Sequence, residues 1–571
     1  MVELDEDIKI TLYKFALANA GKHNGTANLG AVISRTLGER PDIRSKAKEI
    51  SILAKDIITE VNKMSHHEQV SVLRKKFSGI WEDKKGKVEK RKLSPLSDVK
   101  EGHFVVRLPP EPSGYMHMGH AMAGVINAAY AELYSGKIWL RFEDTNARKV
   151  KKEYYESFRD GYSWLGIKWD FEKNVSDDIN IFYSYGEKMI KKGLAYACNC
   201  KPFDIKTNRF EGIECNCRPR TIEDNLEIWD KMLSGEFQEG EYIIRYKKDM
   251  AHQDYSFRDP NLFRIVDFPH PIHGNKYKVW PIYDFAVVIE DYLCKITHIL
   301  RSLEFHVDLQ NSLRLDLGLP PVSTIEFSRF KFEGTPLSKR LLRPLVENGL
   351  VSGWDDPRMP TILGLRRRGI IAEAVKEFTL NVGFTKSNHI FDWNMLFSVN
   401  RKKLDPLVKR FMFVPDPIRI SIKDAPNRKI IMKFHPDKDL GSREVNTGGV
   451  FYVPKEDLFK LNVGNKFRLI ELYNVEIEKL GRNNVECRYV GSEIINGTPK
   501  VQWVTEKNIE YQVILPEKLF NGEEYNKNSL RNIKGMIEPE ASKLNIGEII
   551  QFSRFGFCRI DSKDVAIFSH K

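Results

Sequence analysis

Cysteine is scarce in this chain, and long apolar runs are missing. Seven cysteines in 571 residues cannot make a disulfide scaffold. Four of them are clustered, which points to a reducing compartment and a bound metal. No apolar stretch approaches the roughly 18 residues of a membrane-crossing helix. The first ten residues, MVELDEDIKI, are acidic and carry no signal-peptide core. The expectation is a soluble, cytoplasmic protein with no membrane partner. Acid is in deficit: 78 Asp and Glu stand against 90 Lys and Arg, a net charge of +12, which favours a polyanionic partner. What remains can fill several cores, since 42% of the residues are hydrophobic and the length suits roughly three to five domains.

The chain is organised around residues 104–130, FVVRLPPEPSGYMHMGHAMAGVINAAY. A short apolar run reads as a buried strand. Pro109, Pro110, Pro112 and Gly114 break it, and a helical pattern follows. This places His117 and His120 at a helix start, one turn apart on one face. A helix N-terminus with unpaired N–H groups suits phosphate. Taken alone, the pair is equally a capped helix with two surface histidines.

Residues 1 to about 80 read as helical from the spacing of Ile8, Leu12, Phe15 and Ala16, and of Ile50, Leu53, Ile57, Ile58 and Val61. The stretch between them, KHNGTANLGAVISRTLGERPD, reads as loops and caps. The basic run Asp83–Lys92 is a solvated linker or a nucleic-acid contact. After residue 137 an apolar strand ends in Arg141-Phe142-Glu143-Asp144-Thr145-Asn146. Carboxylates at a strand's carboxyl end can hold an ammonium group or a metal, or simply cap the next helix. Cys198-Asn-Cys200 and Cys215-Asn-Cys217 supply four thiolates for a structural zinc, the alternative being buried cysteines without metal. No general base near them suits a catalytic zinc. The loop Glu333–Arg340, EGTPLSKR, reads as a mobile cationic arm able to close on a phosphate, or as a basic surface turn. Beyond about 395, short β-prone runs separated by turn residues predict barrels or a sandwich.

In this order the motifs resemble class I aminoacyl-tRNA synthetases of the glutamyl/glutaminyl subgroup, and most closely the archaeal-type glutamyl branch. PPEPSGYMHMGHA is similar to the HIGH signature and PLSKR to the KMSKS loop. RFEDTN is similar to the amino-acid-binding segment. WDDPRMPT with GLRRRG matches the stretch after the loop. Leu341 departs from the family, which often has lysine there. The resemblance implies a multidomain α/β protein. Its Rossmann-like class I catalytic core, 96–197 and 279–345, would carry an inserted acceptor-stem-binding domain with the Cys cluster, 198–278. A helical domain with its basic linker, 1–95, would precede it. A helical stem-contact region, 346–395, and anticodon-binding β-barrels, 396–571, would follow.

The activity implied is glutamate–tRNA ligase: L-glutamate and ATP with Mg2+ give glutamyl-adenylate, whose acyl group passes to the 3′ end of tRNA(Glu). Whether tRNA(Gln) is also charged stays open. Catalysis falls to His117, His120, Ser338 and Lys339. The ATP contacts add Pro110, Gly114, Gly119, Glu304 and Leu337. Glutamate would meet Glu143 through its ammonium, and Tyr283, Arg107 and Arg301, with Arg107 the partner of the γ-carboxylate. Asp355, Arg358, Arg366, Arg367 and Arg368 would touch tRNA. The protein would be a monomer whose N-terminal domain offers a surface to other translation proteins. A glutaminyl-tRNA synthetase would share most motifs but should have an uncharged residue at 301 and His at 287, where this chain has Val287. A catalytically inactive tRNA-binding or assembly factor would not need the histidines, Glu143, Ser338 and Lys339 together. Another HxGH nucleotidyltransferase would have no reason to carry WDDPRMPT or a barrel tail.

Overall fold

The N-terminal apolar spacing produces amphipathic helices in the computed structural model, which describes residues 6–22, 25–77, 93–96, 99–303, 306–383, 389–482 and 484–571. Helices Glu6–Lys22, Ala47–Lys63 and His66–Lys76 bury Leu12, Ala16, Ile50 and Val61 in one core. The stretch expected to be loop contains a further helix, Leu29–Glu39. The Asn28 side chain caps it by accepting from Ala31 N, and Val32 and Thr36 are buried. Packing against the neighbouring helices outweighs the poor helix propensity of Gly30 and Gly38. Residues 1–92 form one unit and 93–571 another. The basic run Asp83–Lys92 lies outside the described residues.

In the second unit, strands Val105–Leu108, Lys137–Phe142 and Phe171–Asn174 form a parallel sheet in that order. His298–Ser302 and Ser323–Phe327 form a second parallel pair. The two pieces join where Thr297 N donates to Val105 O (3.0 Å) and Val105 N to Thr297 Oγ1 (2.9 Å). The apolar character of Val105–Leu108, Lys137–Phe142 and His298–Ser302 follows from burial beneath helices, whereas Phe171–Asn174 is a polar edge strand. Helix Met118–Leu133 buries Met122, Val125, Ile126 and Tyr130 against them.

The inserted segment forms an antiparallel sheet of Ala195–Cys198, Ile243–Tyr246, Asn261–Ile265 and Val279–Pro281. The strand at 279–281 therefore closes the inserted sheet, whereas the sequence reading opened the second catalytic half there. Both kinds of strand are short apolar runs, and only their pairing tells them apart. A similar ambiguity arises at 395, because helix Trp393–Leu404 runs across that boundary. The β region then begins with Arg410–Phe411. It comprises two seven-stranded mixed sheets that curl into barrel-like domains, each with its own apolar core. Among the described residues no helix is long and apolar enough to cross a membrane.

Candidate active site

At the carboxyl ends of the parallel strands a cavity of about 800 Å³ opens. It suits a small-molecule site, and its position is the one expected of a doubly wound sheet. Arg107, Pro110, His117, Gly119, His120, Glu143, Tyr283, Arg301, Leu337, Ser338 and Lys339 all line it. Glu304 lies outside the described residues.

The signature turn ends as a capping box built from histidines. His117 is the N-cap, and its Nδ1 accepts from Gly119 N at 3.1 Å; His120 Nδ1 accepts from His117 N at 3.3 Å. Both Nδ1 atoms are acceptors, so each neutral ring carries its proton on Nε2. The rings stack with centroids 3.7 Å apart. Burial, followed by the Lys339 charge, pushes His117 down to about 3. Burial together with His117 and Lys339 holds His120 well below its usual value. Two neutral N–H donors therefore sit at the positive end of a helix. The PRMPT stretch braces this turn: Met118 N donates to Pro360 O and Ile362 N to Met116 O, each at 2.9 Å.

Lys339 opens the helix Lys339–Glu347, with Ser338 at the N-cap position. A second helix N-terminus thus borders the cavity. The Lys339 ammonium donates to Ser113 Oγ at 2.8 Å and Glu111 O at 3.3 Å. Burial lowers it to about 8, with Lys149 and Arg343 adding to the effect. Gly114 leaves room for its stem, since a Cβ there would stand 3.0 Å from Lys339 Cδ. Leu341 is half exposed and takes no part. Upstream, Phe520 N donates to Gly334 O at 3.0 Å and Lys518 pairs with Glu333 at 2.7 Å, so a hairpin of the β region is joined to the cationic loop.

The cavity floor is an arginine network that the motifs only partly revealed. Asp291, fully buried on helix Tyr283–Leu293, meets Arg107 Nε (3.1 Å), Arg141 Nη2 (3.0 Å) and Arg314 Nη2 (2.8 Å). Burial pushes its carboxyl up, but the three guanidinium groups overcome this and hold it below the usual range. Arg141 also pairs with Glu143 at 2.9 Å. Arg301 donates to Tyr283 OH and Gln310 Oε1, each at 3.0 Å. Burial pushes Glu290 up to about 8 against the pull of Arg141 and Lys173, and it meets Lys173 Nζ at 3.0 Å. Among the described residues Arg107, Arg141 and Arg314 gather on Asp291, so several guanidinium groups are held close together beside the cavity. Asp291 and Arg314 were missed because an acid inside VVIEDYL and an arginine inside LRLDL carry no motif. The acidic pair Glu290-Asp291 buried in a largely apolar helix was the available signal. Val287 is buried in the apolar core.

The residues expected to touch tRNA lie away from the cavity. Arg358 bonds Asp356 and Ser529, Arg367 pairs with Asp355 and Asp561, and Arg366 pairs with Asp160. Arg368 donates to the carbonyls of Pro516 and Ser569. The bonds to Ser529, Asp561, Pro516 and Ser569 fasten the catalytic part to the β region.

The cysteine sulfurs all lie within 4.8 Å of one another. Cys198 and Cys215 are 3.9 Å apart, and Cys200 and Cys217 3.7 Å. A tetrahedral zinc with Zn–S of about 2.3 Å needs sulfur edges of about 3.8 Å, so the residues fit that ion. Buried Arg245 reaches Cys215 Sγ at 3.7 Å, and Tyr196 OH lies 3.6 Å from the same sulfur, groups suited to an anionic thiolate cluster.

The comparisons with known proteins converge on this arrangement. The model of the catalytic domain of class I tRNA synthetases (E and Q) matches residues 103–406. Two anticodon-binding-domain models of the same group match 408–490 and 500–561. The glutamate–tRNA ligase of Cenarchaeum symbiosum is 39% identical over 571 residues, covering 99% of this chain and all of its own. That of Nitrosopumilus maritimus is 40% identical across the full length of both chains. That of Pyrococcus furiosus is 40% identical, covering 98% of this chain and 99% of its own.

Proposed function

The chain belongs to the class I tRNA synthetases for glutamate and glutamine, and we propose that it is a glutamate–tRNA ligase whose floor recognises glutamate by charge. One observation carries the choice of amino acid. Arg107 and Arg301 stand at the cavity wall, two guanidinium groups that match a substrate with two carboxylates. A neutral amide forgoes one charge-assisted contact, worth about 1.5–3 kcal/mol. Arg107 meets the γ-carboxylate, Arg301 with Tyr283 the other end, and Glu143 the α-ammonium.

In the first step an oxygen of the α-carboxylate attacks the α-phosphorus of ATP, and the bond to pyrophosphate breaks. The carboxylate is its own nucleophile, so no side chain forms a covalent bond. The Nε2–H groups of His117 and His120 donate to the phosphates, and Lys339 with the Ser338 helix end draws the charge growing on pyrophosphate. Gly119 keeps the approach open, since a Cβ would stand 3.1 Å from Leu337 Cδ1. Magnesium comes with the triphosphate as part of the substrate. In the second step a hydroxyl of the terminal adenosine of tRNA(Glu) attacks the acyl carbon and AMP leaves. Cys198, Cys200, Cys215 and Cys217 hold a structural zinc that fixes the inserted domain. The β domains take the anticodon by stacking and edge contacts. Incubation with labelled glutamate, ATP and tRNA should give an alkali-labile glutamyl ester on the RNA. Its absence with active, folded enzyme would refute this reading.

A further inference from the structure

The lining of the cavity divides into three groups, and only two are needed for adenylate formation. Arg107, Arg301, Tyr283 and Glu143 serve the amino acid; His117, His120, Ser338 and Lys339 serve the triphosphate. The rest of the wall includes Glu111, Asn146, Lys149 and Arg264, with Arg329 and Arg340 among others. Arg264 is the unusual member. It stands on Asn261–Ile265, a strand of the inserted sheet, between buried Phe263 and Ile265 and in register with Trp280. Its Nε is shut off from solvent and has no hydrogen-bond partner among the described residues.

The carboxylates whose fields reach Arg264 are Glu239 and Glu111, and both are engaged elsewhere. Glu239 pairs with Arg148 at 2.5 Å and accepts from Asp267 N at 2.9 Å. Glu111 accepts from Ser113 Oγ at 2.7 Å. Among the described residues this half-buried guanidinium has no carboxylate to itself, which suits it to an incoming anion. Exposed Arg148, Lys149 and Lys151 continue the positive character around the mouth, as a polyanion requires.

Resting on the glutamate–tRNA ligase reading, we propose that Arg264 binds the phosphodiester 5′ to the terminal adenosine of tRNA and seats its ribose against the acyl-adenylate. The other two anions of the reaction already have partners in the first two groups. The RNA end must enter this same cavity for its hydroxyl to reach the acyl carbon. Arg264 would thus serve acyl transfer and not activation. It also links the inserted domain to the chemistry through one side chain.

The test uses the full chain as Arg264→Gln and Arg264→Lys. Three quantities are measured: kcat/KM for tRNA(Glu) charging, affinity for a sulfamoyl analogue of glutamyl-adenylate, and binding of intact tRNA against a transcript lacking its last nucleotide. The expected result for Arg264→Gln is a loss of about tenfold to a hundredfold in kcat/KM for tRNA, with analogue affinity unchanged. Arg264→Lys should recover much of the loss. The wild-type preference for intact over truncated tRNA should disappear in Arg264→Gln. The slope of log affinity against log salt should fall by about 0.7, one single-strand phosphate contact. The preference is a ratio within one variant, so it stands even if part of the protein is unfolded.

Equal losses for the analogue and for tRNA would place Arg264 in activation and overturn the proposal, as would an undiminished preference for the intact end. If the wild type charges glutamate but Arg264→Gln charges equally well, only this proposal fails. If the wild type forms no glutamyl-tRNA, the reading beneath it fails too.

Discussion

Replacing Arg301 by glutamine separates substrate recognition from folding. The guanidinium spans Tyr283 OH and Gln310 Oε1 and borders the cavity. Burial and the nearby Arg107 disfavour its charge, whereas Tyr283 supports it, and the net effect is a pKa below the usual arginine value. An amide in its place retains a polar partner for Tyr283, so the protein should stay folded in a thermal melt. Glutamate binding loses a charge-assisted contact worth about 1.5–3 kcal/mol, and up to about 5 if a substrate carboxylate is left buried and unpaired. At 1.4 kcal/mol per tenfold, kcat/KM for glutamate should fall by about ten- to a thousandfold while KM for ATP stays within about twofold. Steady-state charging with glutamate and ATP varied in turn, beside a thermal melt, measures all three. An unchanged kcat/KM for glutamate would refute the charge-matching argument; an equal loss for ATP would show that the whole site had collapsed.

Three further outcomes follow from the same geometry. Lys339 is lowered to about 8 and His117 to about 3. The kcat/KM for ATP should therefore fall as pH rises through about 8, where the lysine of the free enzyme loses its charge. It should show no acid limb near 6.5, and a limb there that vanishes in His117→Gln would contradict the neutral rings. Gly334 has φ +63°, and a Cβ there would stand 2.9 Å from Phe520 O and Lys518 Cδ. Gly334→Ala should part the hairpin from the cationic loop, at about 1–2 kcal/mol of left-handed strain alone, lowering kcat more than it raises KM for glutamate; unchanged kinetics would show the contact to be idle. Metal analysis should find one zinc per chain, and chelation or Cys200→Ser should lower the melting temperature; an unchanged melt after zinc removal would deny it a structural role.

Much of the site was legible because its residues travel in short motifs. Strand, proline-rich break and helix announced where His117 and His120 would sit, and the end of a strand announced Glu143. What sequence reading could not see was pairing. Val279–Pro281 reads like any short buried strand, and only its register with Arg264 and Phe263 assigns it to the inserted sheet. Leu29–Glu39 was hidden because glycines mask a helix that tertiary burial stabilises. Asp291 gathers three arginines from positions 107, 141 and 314, and such long-range convergence leaves no local trace. The arginines at 358, 367 and 368, assigned to tRNA by the resemblance, bond carboxylates, a hydroxyl and carbonyls of the same chain, contacts that no local motif announces.

The central claim is that the floor selects a second carboxylate. It is tested most directly by charging purified tRNA(Glu) and tRNA(Gln) with labelled glutamate and labelled glutamine in parallel. The account predicts glutamyl ester on tRNA(Glu), with kcat/KM for glutamate exceeding that for glutamine by about a hundredfold or more, and the tRNA(Gln) lane reports whether that acceptor is also used. Comparable charging by glutamine, or a preference for it, would contradict the account.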